Sequence, residues 1–137
     1  MSCPFFSPTE RAHDIAFPHP ARLPLGAAWR GSCLSPGHEL HVLNNQGLES
    51  CNLGYALSCS RLPKERSCDS VRFAITRHSK QAVSVQFVLE ANHLPLYNGL
   101  LEYDRVLGVW LTPHPEQRIQ KLADCFLQSA LGRIERS

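Results

Sequence analysis

The stretch VRFAITRHSKQAVSVQFVLE, residues 71–90, decides the fold. Val71, Phe73 and Ile75 alternate against Arg72 and Thr76, and Val83, Val85, Phe87 and Leu89 alternate against Ser84, Gln86 and Glu90. Side chains two residues apart share one face of a strand, so each half carries an apolar face and a polar one. Ser79–Lys80 forms a short polar link between the halves. Two period-two runs around such a link predict a β-hairpin with one buried face.

Toward the C-terminus, Asn98–Gly99 marks a second turn, followed by LLEYD and then LGVWL around a tight connection. The pattern predicts an antiparallel meander of about four strands. A helix closes the chain. Pro115 suits a first helical position, with Thr112 or His114 as cap and Glu116 in the first turn. Ile119, Leu122, Ala123, Phe126, Ala130 and Ile134 recur at helical spacing, so one stripe can pack on the sheet. Arg133 and Arg136 lie near the C-terminal end, where the helix dipole favours cations.

Toward the N-terminus regularity fades. Residues 31–69 hold four of the six cysteines; HELHVL (38–43) reads as a short strand or a helical turn, punctuated by NNQG (44–47). Residues 1–30 form a proline-rich lead with Pro4, Pro8, Pro18, Pro20 and Pro24, which predicts irregular structure. Phe5, Phe6, Ile15, Phe17, Leu23, Leu25 and Trp29 are costly to leave in water, so the lead is expected to lie across a core or a partner. The fold class is α+β: a Cys-rich irregular N-terminal half, a four-stranded antiparallel sheet and a C-terminal covering helix. Residues 1–30 are the lead, and 31–137 form one metal-stabilised domain.

A length of 137 residues suits one domain. With 43% hydrophobic residues, 19% charged and a net charge of +2, the chain is neither a disordered nor an acidic-tail class. No apolar run approaches the ~20 residues of a membrane span. MSCPFFSPTE lacks the basic start and apolar core of a secretory signal. The expectation is a soluble cytoplasmic protein with a protein partner and no membrane contact.

In a reducing compartment disulfides rarely persist, so six cysteines ask for another account. Cys3, in the lead, and Cys68, among the charges of KERSCDS, read as incidental exposed thiols. Cys33, Cys51 and Cys59 fall where regular structure is scarce, with gaps of 17 and 7 residues, and Cys125 lies at the edge of the helical stripe. Metal binding supplies folding energy where hydrogen-bonded elements are missing. The competing view is that these are buried thiols packing as small hydrophobes, which suits Cys125 as well as a ligand role does. The candidate metal site is therefore Cys33, Cys51, Cys59 and Cys125. Structural zinc usually shows C-x2-4-C knuckles, absent here, so wide spacing favours a [4Fe–4S] cluster over zinc. Zinc would also admit His38 or His41 as fourth ligand. Four thiolates leave no open position, which favours electron transfer, redox sensing, an accessory subunit or structural support over catalysis.

Other constellations carry less. His38-Glu39-Leu40-His41 is one residue short of HExxH, so its general-base geometry is lost. Glu90-Ala-Asn-His93 is a single copy of a spacing that di-iron sites use twice. A Cys–His hydrolase would pair Cys51 or Cys59 with His93 or His114, but lone cysteines give such pairings in many proteins. Nothing resembles GxSxG, a Walker loop or GxGxxG. The one dense basic stretch, Arg61-Leu-Pro-Lys64-Glu-Arg66, reads as a solvated loop, and phosphate binding to nucleic acid is kept as a minor alternative. The alternative to a metalloprotein is a metal-free protein–protein interaction module.

Overall fold

The computed structural model describes residues 3–12, 23–35, 41–42, 51–52, 68–92 and 94–136. Four strands, β4 (Ser70–His78), β5 (Ala82–Ala91), β6 (Leu94–Asp104) and β7 (Val109–Thr112), form an antiparallel sheet in chain order. A second sheet joins β1 (Phe6–Arg11), β2 (Trp29–Cys33) and β3 (His41–Val42), also antiparallel. One 20-residue helix, α1 (Gln117–Arg136), ends the chain. The fold is α+β, as the alternation and the helical stripe predict.

Register turns the sequence pattern into a surface. Phe73 lies opposite Phe87, Ile75 opposite Val85, and Val85 opposite Leu101. Residues directly opposite one another project from the same face, so the alternating apolar positions merge into one inner face. Val71, Val83 and Val85 are fully buried there. The β4–β5 turn is held by the Ser79 hydroxyl, which accepts from the Gln81 and Ala82 N–H groups at 3.2 Å each.

Asn98–Gly99 is not a turn. Both residues lie inside β6, opposite Val88 and Phe87. A Cβ at position 99 would stand 2.9 Å from Phe87 Cε1, so glycine there makes room for the ring. The chain reverses instead at Asn92, whose φ of 52° is in the left-handed region that asparagine tolerates. Its N–H donates to Asp69 Oδ2 at 2.7 Å. The β6–β7 turn uses an aspartate: Asp104 Oδ1 accepts from the Val106 and Leu107 N–H groups at 2.9 Å each, and Gly108 takes φ 70°.

The helix starts two residues after Pro115, with His114 as part of its cap. His114 Nδ1 accepts from the Glu116 N–H at 3.0 Å, and the Glu116 carbonyl accepts from the Gln120 N–H at 3.0 Å. Of the predicted stripe, Ile119, Leu122, Ala123, Phe126 and Ala130 are buried and Ile134 is half-buried; Leu127 joins them, so the packed face follows the stripe. Phe126 stacks on Phe73 with ring centroids 5.6 Å apart. The helix touches β1 as well as β4, and a single core cluster draws side chains from both sheets.

The lead is more regular than its prolines predict. Pro8 sits within β1, the edge strand of its sheet, where a missing N–H interrupts no ladder on the outer side. Phe5 and Phe6 are buried, and strand β2 runs across the expected boundary at residue 30. Buried Asn52 clamps β2: its Oδ1 accepts from the Trp29 N–H and its Nδ2 donates to the Trp29 carbonyl, both at 2.8 Å. No described helix is long and apolar enough to cross a membrane.

Candidate functional site

Of the four predicted ligands, Cys33, Cys51 and Cys125 are among the described residues, and Cys59 lies outside them. Cys33 ends β2, opposite Phe6 and His41, and its Sγ accepts from the Ser35 N–H at 3.4 Å. Cys51 is half-buried and packs on the core. Cys125 is 4% exposed on the packed face of α1. All three adjoin one core cluster, yet among the described residues no group of three or more His, Cys, Asp or Glu side chains is arranged to hold a metal ion. His38 and the side chain of His41 lie outside the described residues, as does His93.

The view of Cys3 and Cys68 as exposed thiols is corrected. Cys68 is 2% exposed and belongs to the core, and Cys3 packs against it. The charges of KERSCDS do not keep Cys68 at the surface. Asp69 turns its carboxylate to the Asn92 N–H, and the buried run at residues 68–70 leads directly into β4.

Cys125 shows what the core does to a thiol. Burial pushes its pKa from the ordinary 9.0 to about 11; Lys121 pulls it down and Asp124 adds to the rise. The native state thus holds the proton more tightly than the unfolded chain does. The thiol's contribution to stability is complete below pH 9 and is lost as pH rises through about 11, on the order of 3 kcal/mol when ionisation is complete. Chemical unfolding of the wild type and of Cys125→Ala between pH 9 and 11 checks this. The wild type is expected to lose stability faster than the variant, and parallel profiles would show a solvated thiol.

His114 is committed to structure. Besides capping α1 through Nδ1, its ring meets Phe87 edge-on at 4.7 Å. A polar clip extends from it: Gln120 Oε1 accepts from the His114 N–H at 2.7 Å, Gln120 Nε2 donates to Asp124 Oδ1 at 2.9 Å, and Trp110 Nε1 donates to that same oxygen at 2.6 Å. The clip fastens β7 to the helix.

The β6–β7 ribbon carries the main surface feature of the described residues. Leu94, Leu96, Tyr97, Leu100, Val106, Leu107, Val109 and Leu111 are between 47% and 74% exposed. Two of them owe their position to β-bulges. Pairing of β5 jumps from Tyr97 to Pro95, and pairing of β6 jumps from Thr112 to Trp110, so Leu96 and Leu111 are the extra residues. The signal lay in the sequence: residues 94–101 and 106–111 do not alternate with polar residues as 82–90 do, which makes both faces of the ribbon apolar.

A shallow cleft of about 310 Å³ lies between β1 and the first turns of α1, lined by Phe6, Ser7, Leu34, Gln117, Arg118 and Lys121. Arg118 is engaged there, paired with Glu116 and set 4.4 Å from the Phe5 ring centroid. Set against known proteins, the chain matches no family model, no curated protein and no solved structure.

Proposed function

We propose that this chain is a protein–protein interaction module that docks through the β6–β7 ribbon. The observation that carries the proposal is the set of eight large apolar side chains that the ribbon exposes on its two faces and at its turn. Exposed apolar patches beyond a few hundred Å² mark interaction sites, because leaving them in water forgoes the main driving force of association. The cysteines fit the same role as packing residues: Cys33, Cys68 and Cys125 are core members, and burial keeps the Cys125 thiol protonated.

The test is the size of the assembly that the full chain enters in an extract of its own cells. The wild type is expected to migrate above its monomer size. Leu100→Lys with Leu107→Lys should shift it to monomer with an unchanged melting temperature, since both positions face solvent. An unchanged assembly in that variant overturns the proposal.

The second reading is a four-thiolate metal centre of Cys33, Cys51, Cys59 and Cys125, iron–sulfur or zinc. It is supported by the packing of three of these cysteines on one core cluster. Stoichiometric metal that disappears in Cys51→Ser, with a large loss of stability, would establish it.

A further inference from the structure

We propose that Ser79, at the tip of the β4–β5 hairpin, is a phosphorylation site whose phosphate is held by Arg105, Lys80 and the N–H groups of its own turn. The inference does not depend on the ribbon being an interface. A phosphoacceptor must be reachable, and residues 76–81 are all exposed. β4 is an edge strand of the four-stranded sheet, so an enzyme can read Thr76, Arg77 and His78 in extended form. Arg77, His78 and Lys80 surround the hydroxyl in sequence, a charge pattern that suits the acidic substrate groove of a basic-directed kinase.

The turn is already arranged around an oxygen. The successive N–H groups of Gln81 and Ala82 converge on Ser79 Oγ at 3.2 Å each, an arrangement that binds anions. The β6–β7 turn brings a cation to the same residue. Arg105 Nη1 donates to the Ser79 carbonyl at 2.7 Å, and the Arg105 N–H donates to the Gln81 carbonyl at 2.8 Å. A guanidinium carries five donors, so it keeps this bond while pairing with a phosphate on the same residue. The acid closest in register, Asp104 opposite Ala82, gives Oδ1 to two N–H groups of its own turn. Other serines differ: Ser35, Ser70 and Ser129 are buried, and Ser84 donates to the Glu102 carboxylate, which would repel a phosphate. The phosphoryl group comes from a nucleoside triphosphate held by the kinase. The bond from Ser79 Oγ to the γ-phosphorus forms as the bond to the diphosphate leaving group breaks, and the hydroxyl proton passes to the kinase's base. The product carries about −1.5 to −2 of added charge, and charge-assisted bonds to Arg105 then tie the two turns together.

The test treats the full chain with a basic-directed serine kinase and ATP and reads the site by peptide mass spectrometry. Phosphate on Ser79 is expected, with none there in Ser79→Ala. Incorporation is expected to be at least ~10-fold slower in Arg77→Ala, the rate equivalent of one lost charge-assisted bond. Phosphorus NMR of the product tests the cradle. The second pKa of the phosphate, ordinarily about 6, is expected to fall, and Arg105→Ala is expected to restore it. Absence of phosphate from Ser79, both in this reaction and in chain isolated from its own cells, overturns the site. A phosphate that titrates as in a free peptide, with Arg105→Ala making no difference, overturns the role of Arg105 and the proposal with it.

Discussion

Phe126→Ala is expected to lower the unfolding free energy by about 3–5 kcal/mol, the usual cost of removing a buried phenylalanine. The ring is 8% exposed and stacks on Phe73 across the interface between helix and sheet. Its loss removes apolar transfer energy and leaves a cavity that the rigid pleat of β4 and β5 cannot close. The damage is expected to reach further than β4, because the same helix touches β1. Denaturant unfolding measures the loss, and pairing the variant with Phe73→Ala isolates the ring–ring share. A cost below about 1 kcal/mol would mean that the helix does not seat on the sheet through this residue.

Gly31→Ala is expected to cost about 3 kcal/mol, at the upper end for overpacking, because the obstruction is backbone. The added Cβ would stand 2.2 Å from the Ser7 carbonyl oxygen and 2.8 Å from Pro8 Cα. Neither atom belongs to a side chain that can swing aside, so β1 must move away from β2. Hydrogen exchange locates the effect: amides of β1 and β2 should exchange faster while those of β4 and β5 keep their protection. A Gly31→Ala protein as stable as the wild type would show that β1 does not lie against position 31.

Alternation made the β4–β5 hairpin legible, and helical spacing did the same for α1, because in both the apolar period matches the geometry of the element. Local turn chemistry misled at Asn98–Gly99. The dipeptide is a common hairpin turn, but here tertiary packing claims it: the Phe87 ring needs the space that Gly99 leaves, and Asn92 takes the turn. The prolines of the lead suggested irregularity because their rule concerns hydrogen bonding, and an edge strand asks for less of it. The candidate metal ligands depended on long-range proximity, which spacing alone does not encode. Cys68 shows the same limit. Its neighbours Lys64, Glu65 and Arg66 are polar, yet Cys68 is a core member, and the residue after it, Asp69, bonds Asn92 across 23 residues. The exposed ribbon went unread, because an absence of alternation is a weaker signal than alternation itself.

The two tryptophans of the chain fall one to each sheet, Trp29 in β2 and Trp110 in β7. Their surroundings differ: Trp29 is 3% exposed, whereas the Trp110 indole is partly exposed and bonded to the Asp124 carboxylate. The protein therefore carries its own pair of fluorophores, separable by colour and by quencher access. With Trp29→Phe, emission reports the meander alone; with Trp110→Phe, it reports the N-terminal layer. Superimposed melting curves from the two would make the sheets one cooperative unit, and staggered curves would order their loss.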